Sequence, residues 1–570
     1  MTAAEIRARI LTTVSRNGGH LASSLGAVEI AMALAESFDP LRDRVVWDVG
    51  HQAYAWKILT GRDDRFETLR RLDGISGFPN PLESPADACF SGHAGVALSV
   101  AAGLAAARDR KGTGEHVVAV IGDASIVNGT SFEAMNNLAA ATRKVIVVLN
   151  DNEMSISRPS GSFSKLLGRL IAGVRYNQVK NAAKKAGHAL RLSFLYGVVH
   201  RVKSRIKSLF LGNAFFEQFG LHYIGPVDGH DLTALRAAFR VAKSEDRSVL
   251  VHVVTKKGRG FAPAEMHPTR WHGVGPFDYP PAHGACALAV KRDWSAAFGT
   301  ALVAAARRDE RVFAITAGMS DGTGLGDFAR EFPVRFLDVG IAEGHMMAFA
   351  AGLAGGGLRP VVAVYSTFLQ RAIDQLMHDV CLASLPVVVC VDRAGVVGAD
   401  GATHQGVFDV AMLRCLPNLT ICQPKDEDDL VALLDEALRR NGPTVIRYPR
   451  GAVPAHPVEP LACAGAATAI WAAGDQVEKA NEVARRLGRT EVVHARYLKP
   501  FDAGLLARER RAGVRIVSLE NGSVAGGLGE AIGADIRLGW PDRFVPHGTQ
   551  AELEKRFALD ADSIVEVLNG

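Results

Sequence analysis

The sequence contains no set of cysteines or histidines with the spacing of a disulfide framework or a zinc site. Its seven cysteines are scattered over 570 residues without C-x-x-C spacing, and it has no H-x-x-x-H or H-E-x-x-H motif. An odd, unpatterned cysteine count is typical of a reducing compartment. The first ten residues lack the apolar core of a secretion signal. We therefore predict a cytoplasmic protein whose chemistry does not depend on zinc.

Long apolar runs and nucleotide-binding motifs are missing as well. No stretch reaches the ~20 uninterrupted apolar residues of a membrane helix, so no membrane partner is predicted. The net charge of +5 is spread along the chain and gives a pI near 8.8, which does not by itself favour a nucleic-acid partner. Neither G-x-x-x-x-G-K-[ST] nor a strand-linked G-x-G-x-x-G occurs, so P-loop and Rossmann folds are disfavoured.

Apolar strand-like runs alternate with alanine-rich helical stretches over most of the chain. The composition, 48% hydrophobic and 22% charged, is that of an ordinary globular protein, and 570 residues predict several domains. The alternation predicts an α/β protein of three doubly wound, mostly parallel-sheet domains. We expect them at residues 1–285 with a polar, basic insertion at about 155–215, at 290–452, and at 461–570.

Two polar residues follow two apolar, β-branched runs in the first block. Asp123 comes after residues 117–121, and Asn152 comes after residues 145–149. Helix-like sequence at 131–141 separates the runs, so both side chains are expected at the carboxyl edge of one parallel sheet. A carboxylate and an amide oxygen suit Mg²⁺ beside a diphosphate. Gly-Asp and Asn-Asp-Asn are also common in turns, so these residues alone leave both interpretations open.

The second block carries an acid just beyond a strand, in Asp338-Val-Gly-Ile-Ala-Glu343. Such a glutamate suits activation of a thiamine cofactor, and an acid at a helix N-terminus is the alternative. Histidines next to glycines occur at five predicted strand-end loops and indicate a polar pocket that handles protons. They are His20, His51, His93, His272 and His404.

Basic residues occupy three further loops, in Lys256-Lys257-Gly-Arg259-Gly, Asp392-Arg393-Ala-Gly and Arg447-Tyr-Pro-Arg450-Gly. An arginine fork can bind a phosphate through two hydrogen bonds. Taken singly, each of these residues is also compatible with ordinary surface charge. Together they indicate a small phosphorylated substrate.

Long runs of this sequence resemble the 1-deoxy-D-xylulose-5-phosphate synthases, thiamine-diphosphate enzymes of the transketolase superfamily. The resemblance covers nearly the whole chain. It implies a transketolase-like fold, a homodimer, and the condensation of pyruvate with D-glyceraldehyde 3-phosphate, with loss of CO₂, for isoprenoid and thiamine biosynthesis. The runs that carry it are residues 46–54 (VWDVGHQAY), 132–137 (FEAMNN), 148–157 (VLNDNEMSIS), 223–230 (YIGPVDGH), 365–371 (YSTFLQR) and 392–406 (DRAGVVGADGATHQG).

The resemblance also implies a role for each matching residue. Mg²⁺ ligands are expected at Asp123, Asn152 and the carbonyl of Met154, and the activating glutamate at Glu343. Catalytic histidines are expected at His20, His272 and His404. Other cofactor contacts fall at His51, Gly92, His93, Ala94, Ala124, Ser125 and Phe261, and substrate contacts at Tyr365, Arg393, Asp400 and Arg450.

Several positions depart from the family pattern, mainly on the cofactor side. The usual Gly-Asp-Gly is Gly-Asp-Ala at Ala124, the hydroxyl-rich segment after Gly92-His93 is Ala94-Gly95, and Ala-Glu-Gln-His has glycine at Gly344. Each lost hydrogen bond weakens binding by ~0.5–1.5 kcal/mol. Two alternatives therefore stand beside the synthase: a diverged thiamine-diphosphate carboligase with another donor or aldehyde, and a weakly active regulatory homologue.

Overall fold

The computed structural model describes residues 1–152, 213–279 and 292–569. The chain forms two compact units. Unit 1 comprises Met1–Leu69 and Gly77–Leu288, and unit 2 comprises Arg70–Ser76 and Ala289–Gly570. Met154, nearly all of the expected insertion at 155–215 and most of the linker sequence after residue 279 lie outside the described residues.

Unit 1 is built on a five-stranded sheet in the order β2-β3-β4-β6-β5, in which every neighbouring pair is parallel. The central strands are buried along their whole length, which is why their sequences are continuous apolar runs. The strands of unit 1 are β1 (Gly19–His20), β2 (Arg44–Trp47), β3 (Val117–Gly122), β4 (Ile146–Asp151), β5 (His222–Asp228), β6 (Val249–Val254) and β7 (Gly273–Val274).

Three helices of unit 1 begin at a residue whose side chain caps the helix. Thr2 forms a capping box with Glu5, and Asn128 and Asp231 accept hydrogen bonds from backbone N–H groups of the helices they precede. The helices are Ala3–Asn17, Ala22–Gly26, Val28–Ser37, Tyr54–Lys57, Ala97–Lys111, Gly129–Ala141, Asn213–Gln218, Leu232–Ser244 and Ala262–Met266.

The register of unit 1 brings the predicted strand ends together. Gly122 pairs with Asn150 across β3 and β4, so the chain leaves both strands at the same edge of the sheet. This confirms the predicted strand, helix and strand around Asp123. The expectation that all five histidines lie in strand-end loops is wrong for His20 and His93. His20 lies within β1, which pairs antiparallel with β7, and His93 lies in a loop that leads into a helix, with no strand beside it in the described part of the chain. The two-residue strand β1 forms only through its contact with a distant segment, so no local pattern indicated it.

Unit 2 contains two sheets of mostly parallel strands. The seven-stranded sheet has the order β16-β12-β13-β11-β10-β8-β9, and the four-stranded sheet has the order β15-β14-β17-β18. The strands are β8 (Val312–Thr316), β9 (Phe336–Asp338), β10 (Arg359–Tyr365), β11 (Val388–Ala394), β12 (Thr420–Cys422), β13 (Thr444–Pro449), β14 (Thr468–Ala472), β15 (Thr490–His494), β16 (Tyr497–Lys499), β17 (Arg515–Ser523) and β18 (Ile536–Trp540).

Helices cover the faces of both sheets, which confirms the α/β fold. Strand β16 is the exception to the parallel pattern, because it pairs antiparallel with the edge strand β12. Among the described helices, none has the length and hydrophobicity needed to span a lipid bilayer. The helices of unit 2 are Trp294–Arg308, Gly326–Glu331, Glu343–Gly355, Ser366–Leu369, Ile373–Gln375, Asp409–Arg414, Glu427–Arg439, Val477–Leu487, Ala503–Arg511, Leu528–Ala531, Gln550–Arg556 and Ala561–Asn569.

Candidate functional site

Asp123 and Asn152 meet at the carboxyl edge of the unit 1 sheet. The carboxylate of Asp123 accepts a hydrogen bond of 2.9 Å from the Ala124 N–H and another from the backbone N–H of Asn152. Burial, together with the nearby charge of Asp151, raises the pKa of Asp123 to about 7. A carboxylate that burial and a second acid destabilise in this way is a suitable ligand for a divalent cation.

A series of hydrogen bonds between buried polar side chains supports this edge of the sheet. The Thr255 hydroxyl donates to Asn150 Oδ1 over 2.6 Å, and Asn150 Nδ2 donates to Gln52 Oε1 over 2.7 Å. All three residues are buried. Because Gln52 follows His51, these hydrogen bonds link the His51 loop to the end of β4.

Three of the predicted histidines form one cluster in unit 1. The ring centroids of His20, His51 and His272 are separated by 5.3 to 5.9 Å. Ser23 Oγ lies 3.2 Å from His272 Nδ1. Burial holds the pKa of His272 well below its usual range, and the positive charge of Lys257 adds to this effect. His272 is therefore a neutral imidazole at physiological pH, able to donate or accept a proton.

The His93 loop is held in place by a carboxylate beneath it. Asp48 Oδ1 accepts hydrogen bonds of 3.0 to 3.1 Å from the N–H groups of Gly95, Val96 and Ala97, and Gly95 also donates to Oδ2 over 2.8 Å. Gly95 has a φ of +84°, and a Cβ there would lie 2.5 Å from the side chain of Asn128. These contacts fix the backbone conformation of the segment that carries Gly92, His93 and Ala94.

The basic loop after β6 contributes a buried lysine and an aromatic cluster. Burial lowers the pKa of Lys257 to about 8, while the negative charge of Asp123 opposes that shift. Phe261 is buried, with its ring edge-on to Trp271 at 5.2 Å. The structure thus places Lys257 near the proposed metal site and packs Phe261 within the protein core beside it.

Glu343 is the first residue of its helix in unit 2 and is almost fully buried. Burial raises the pKa of Glu343, and the Arg371 guanidinium, 3.8 Å away, opposes this shift. The turn before the helix is fixed by Asp338, whose carboxylate accepts hydrogen bonds from the Gly318 and Gly340 N–H groups and from the Ser320 hydroxyl. A buried carboxyl with a raised pKa can share its proton with a ring nitrogen.

Several substrate-side residues of unit 2 also come together. The Phe368 ring stacks on Tyr365 at 5.8 Å and meets His404 edge-on at 5.6 Å. The Thr403 hydroxyl lies 2.9 Å from His404 Nδ1. Paired hydrogen bonds between Gly395 and Gly406 close the loop that carries His404, which fixes both of its ends.

Two arginines flank the carboxylate of Asp400. Arg70 Nη1 lies 2.6 Å from one oxygen, and Arg450 Nη1 lies 3.1 Å from the other. Desolvation and the positive charges of Arg393 and Arg70 lower the pKa of Arg450, whereas Asp400 opposes this effect. Guanidinium groups can bind a phosphate through paired, charge-assisted hydrogen bonds, so a cluster of three is suited to an anionic substrate.

Sequence reasoning missed several residues that contact the predicted ones. Ser23 lies three residues after His20, and Tyr54, whose hydroxyl accepts a hydrogen bond from the His20 N–H, ends the run of residues 46–54. Arg70 gave no signal, because it is 330 residues from Asp400 in the chain.

Comparison with known proteins first defines a class. Residues 290–456 match the pyrimidine-binding domain of transketolases, and residues 460–564 match the transketolase C-terminal domain. Unit 2 therefore has the architecture of the transketolase class.

The N-terminal part of the chain identifies the family within that class. Residues 1–255 match the family model described as 1-deoxy-D-xylulose-5-phosphate synthase. The chain is 45% identical to 1-deoxy-D-xylulose-5-phosphate synthase 1 of Geobacter metallireducens, over 99% of this chain and 94% of that one. It is 46% identical to synthase 2 of Geobacter sulfurreducens, over 99% and 94%. The chain belongs to the 1-deoxy-D-xylulose-5-phosphate synthase family.

Proposed function

We propose that this protein condenses pyruvate with D-glyceraldehyde 3-phosphate to form 1-deoxy-D-xylulose 5-phosphate and CO₂. The observation that carries this proposal is the family match over 99% of the chain. The arginines around Asp400 support it, because they suit the phosphate of the acceptor. The match does not favour the alternatives of another carboligase or a regulatory homologue.

The family depends on thiamine diphosphate, and the residues of this chain fit that cofactor. When bound, thiamine diphosphate supplies a nucleophilic carbon for the pyruvate ketone and an electron sink for the loss of CO₂. Asp123 and Asn152 are the proposed side-chain ligands of the Mg²⁺ that accompanies the diphosphate. The carbonyl of Met154 is the proposed third ligand, and that residue lies outside the described part of the chain.

Glu343 is assigned to the aminopyrimidine ring of the cofactor. Its carboxyl hydrogen-bonds the N1′ atom and holds a proton there. The raised pKa of Glu343 supports this role, because the carboxyl keeps its proton to higher pH and so has a proton to donate to a ring nitrogen. His51, Gly92, His93, Ala94, Ala124, Ser125 and Phe261 are the other proposed cofactor contacts.

The histidine cluster of unit 1 is assigned to the donor half of the reaction. His20 and His272 orient pyruvate and exchange protons with its oxygen atoms. The depressed pKa of His272 supports a neutral imidazole that can donate or accept a hydrogen bond.

The acceptor half is assigned to residues of unit 2. Arg393 and Arg450 bind the phosphate, Tyr365 packs beside it, and Asp400 orients Arg450. His404 supplies the proton that the aldehyde oxygen gains as the new carbon–carbon bond forms. That proton balances the reaction, because CO₂ leaves without one.

Release of ¹³CO₂ from [1-¹³C]pyruvate, followed by NMR, tests this proposal. The purified protein with Mg²⁺ and thiamine diphosphate should release label faster when D-glyceraldehyde 3-phosphate is present. Equal rates with and without the aldehyde would count against the synthase. A homodimer and domains at 1–285, 290–452 and 461–570 remain predictions, and molecular mass in solution and limited proteolysis will test them.

A further inference from the structure

A chain of three buried side chains crosses the unit 1 sheet next to the proposed metal site. The Tyr223 hydroxyl on β5 lies 2.7 Å from His252 Nδ1 on β6, and His252 Nε2 lies 2.9 Å from Asp151 Oδ2 at the end of β4. His252 is fully enclosed, and the other two residues are at least nine-tenths buried. The function proposed above uses none of the three.

The chemistry of the three groups sets the direction of the hydrogen bonds. An ionised Asp151 can only accept, so Nε2 of His252 donates to it. In the neutral tautomer Nδ1 then accepts the Tyr223 hydroxyl proton. Burial raises the pKa of Tyr223, which keeps that proton on the hydroxyl group. The chain thus runs from a donor at Tyr223 to a carboxylate at Asp151, with both bonds satisfied.

The position of Asp151 connects this chain to the metal site. Asp151 immediately precedes Asn152, whose backbone N–H donates to the carboxylate of Asp123. The carboxylate of Asp151 is also close enough to act on Asp123 through its negative charge. Any rotation of the Asp151 side chain therefore changes the negative charge that acts at the site.

We propose that His252 and Tyr223 are positioning residues for the divalent cation. They hold the carboxylate of Asp151 so that its charge attracts the cation while Asp123 and Asn152 bind it directly. This inference rests on the proposed function, since the Mg²⁺ site is part of that proposal. Residues that do not touch a metal ion but fix the groups around it can change its affinity by about tenfold or more.

Calorimetric titration of Mg²⁺ into the protein with saturating thiamine diphosphate tests the inference without measuring activity. Tyr223→Phe, which removes one oxygen atom, should weaken Mg²⁺ binding about fivefold. Asp151→Asn and His252→Leu should weaken it about tenfold or more. His252→Gln, which keeps a donor toward Asp151, should lose less than His252→Leu.

Thr142→Val is a matched control, because it removes another buried hydroxyl that donates to a carboxylate of unit 1, that of Asp109, over 2.6 Å. It should leave Mg²⁺ affinity unchanged even if it lowers the unfolding temperature as much as Tyr223→Phe does. Affinities within twofold of the wild type in both Tyr223→Phe and Asp151→Asn would overturn this inference alone. A wild-type protein that binds the cofactor without Mg²⁺ dependence would overturn the proposed metal site as well.

Discussion

The guanidinium of Arg393 lies over the ring of Tyr365, with its central carbon 3.8 Å from the ring centroid. Arg393 has a φ of +58°, a value that is rare for residues other than glycine. This backbone conformation sets the direction in which the Arg393 side chain leaves the main chain. Gly322 approaches the same ring so closely that a Cβ there would lie 1.8 Å from the Tyr365 hydroxyl. The stacked pair therefore presents the arginine fork in one orientation.

Replacing Arg393 by lysine should raise the KM for D-glyceraldehyde 3-phosphate about tenfold or more. Lysine keeps the charge but loses the planar fork and its stacking on Tyr365. The KM for unphosphorylated D-glyceraldehyde should change little, and steady-state kinetics with both aldehydes measures the difference. Arg307→Lys, at an exposed ion pair with Glu331, serves as the control. An equal rise for both aldehydes would argue against phosphate binding by Arg393.

Glu343→Ala should lower turnover by at least about a thousandfold without unfolding the protein. The buried carboxyl is the only group proposed to hold a proton at N1′ of the cofactor. Thiamine diphosphate should still bind, because the proposed diphosphate and Mg²⁺ contacts are unchanged. Rapid-quench kinetics and calorimetry measure the two effects separately. Substantial activity in Glu343→Ala would refute the role assigned to Glu343.

The depressed pKa of His272 predicts a specific pH dependence of stability. Below the unfolded-state pKa of 6.5 the unfolded chain takes up a proton that the folded protein does not, so stability falls as pH falls. When the pH falls from 7.5 to 5.5, the unfolding free energy of the wild type should decrease by about 1.4 kcal/mol more than that of His272→Gln. Chemical denaturation at both values measures this difference. An identical loss in the two proteins would show that the folded protein takes up a proton at His272 as readily as the unfolded chain does.

Restoring a hydroxyl at Ala94 should strengthen cofactor binding. The backbone of this segment is fixed by Asp48, so Ala94→Ser places a new donor where the family pattern has one. One hydrogen bond of about 1 kcal/mol corresponds to an affinity gain of about fivefold. Calorimetry with thiamine diphosphate and Mg²⁺ measures it, with the exposed helical variant Ala107→Ser as control. Unchanged or weaker binding would mean that position 94 does not face the cofactor.

Local sequence patterns predicted much of this fold because strands and their following loops are local features. The apolar run before Asp123 lies within strand β3, and most of the run before Asn152 lies within β4. The shared edge of Asp123 and Asn152 followed from the parallel arrangement alone. The roles of individual site residues remain predictions until variants test them.

Contacts between distant segments account for what the sequence did not reveal. Tyr223, His252 and Asp151 lie on three strands, and only the sheet order brings them into line. The pairing of β1 with β7 places His20 beside His272. Each of these strands has only two residues, and the two lie far apart in the sequence of unit 1. No periodic pattern extends over so few residues, so such contacts leave no mark in the sequence.

Mass spectrometry of the products made from pyruvate and D-glyceraldehyde 3-phosphate, with Mg²⁺ and thiamine diphosphate, tests the proposed synthase most directly. We expect a five-carbon deoxy-sugar phosphate that requires the aldehyde and disappears in Glu343→Ala. CO₂ release without that product, or no reaction with either substrate, would contradict it.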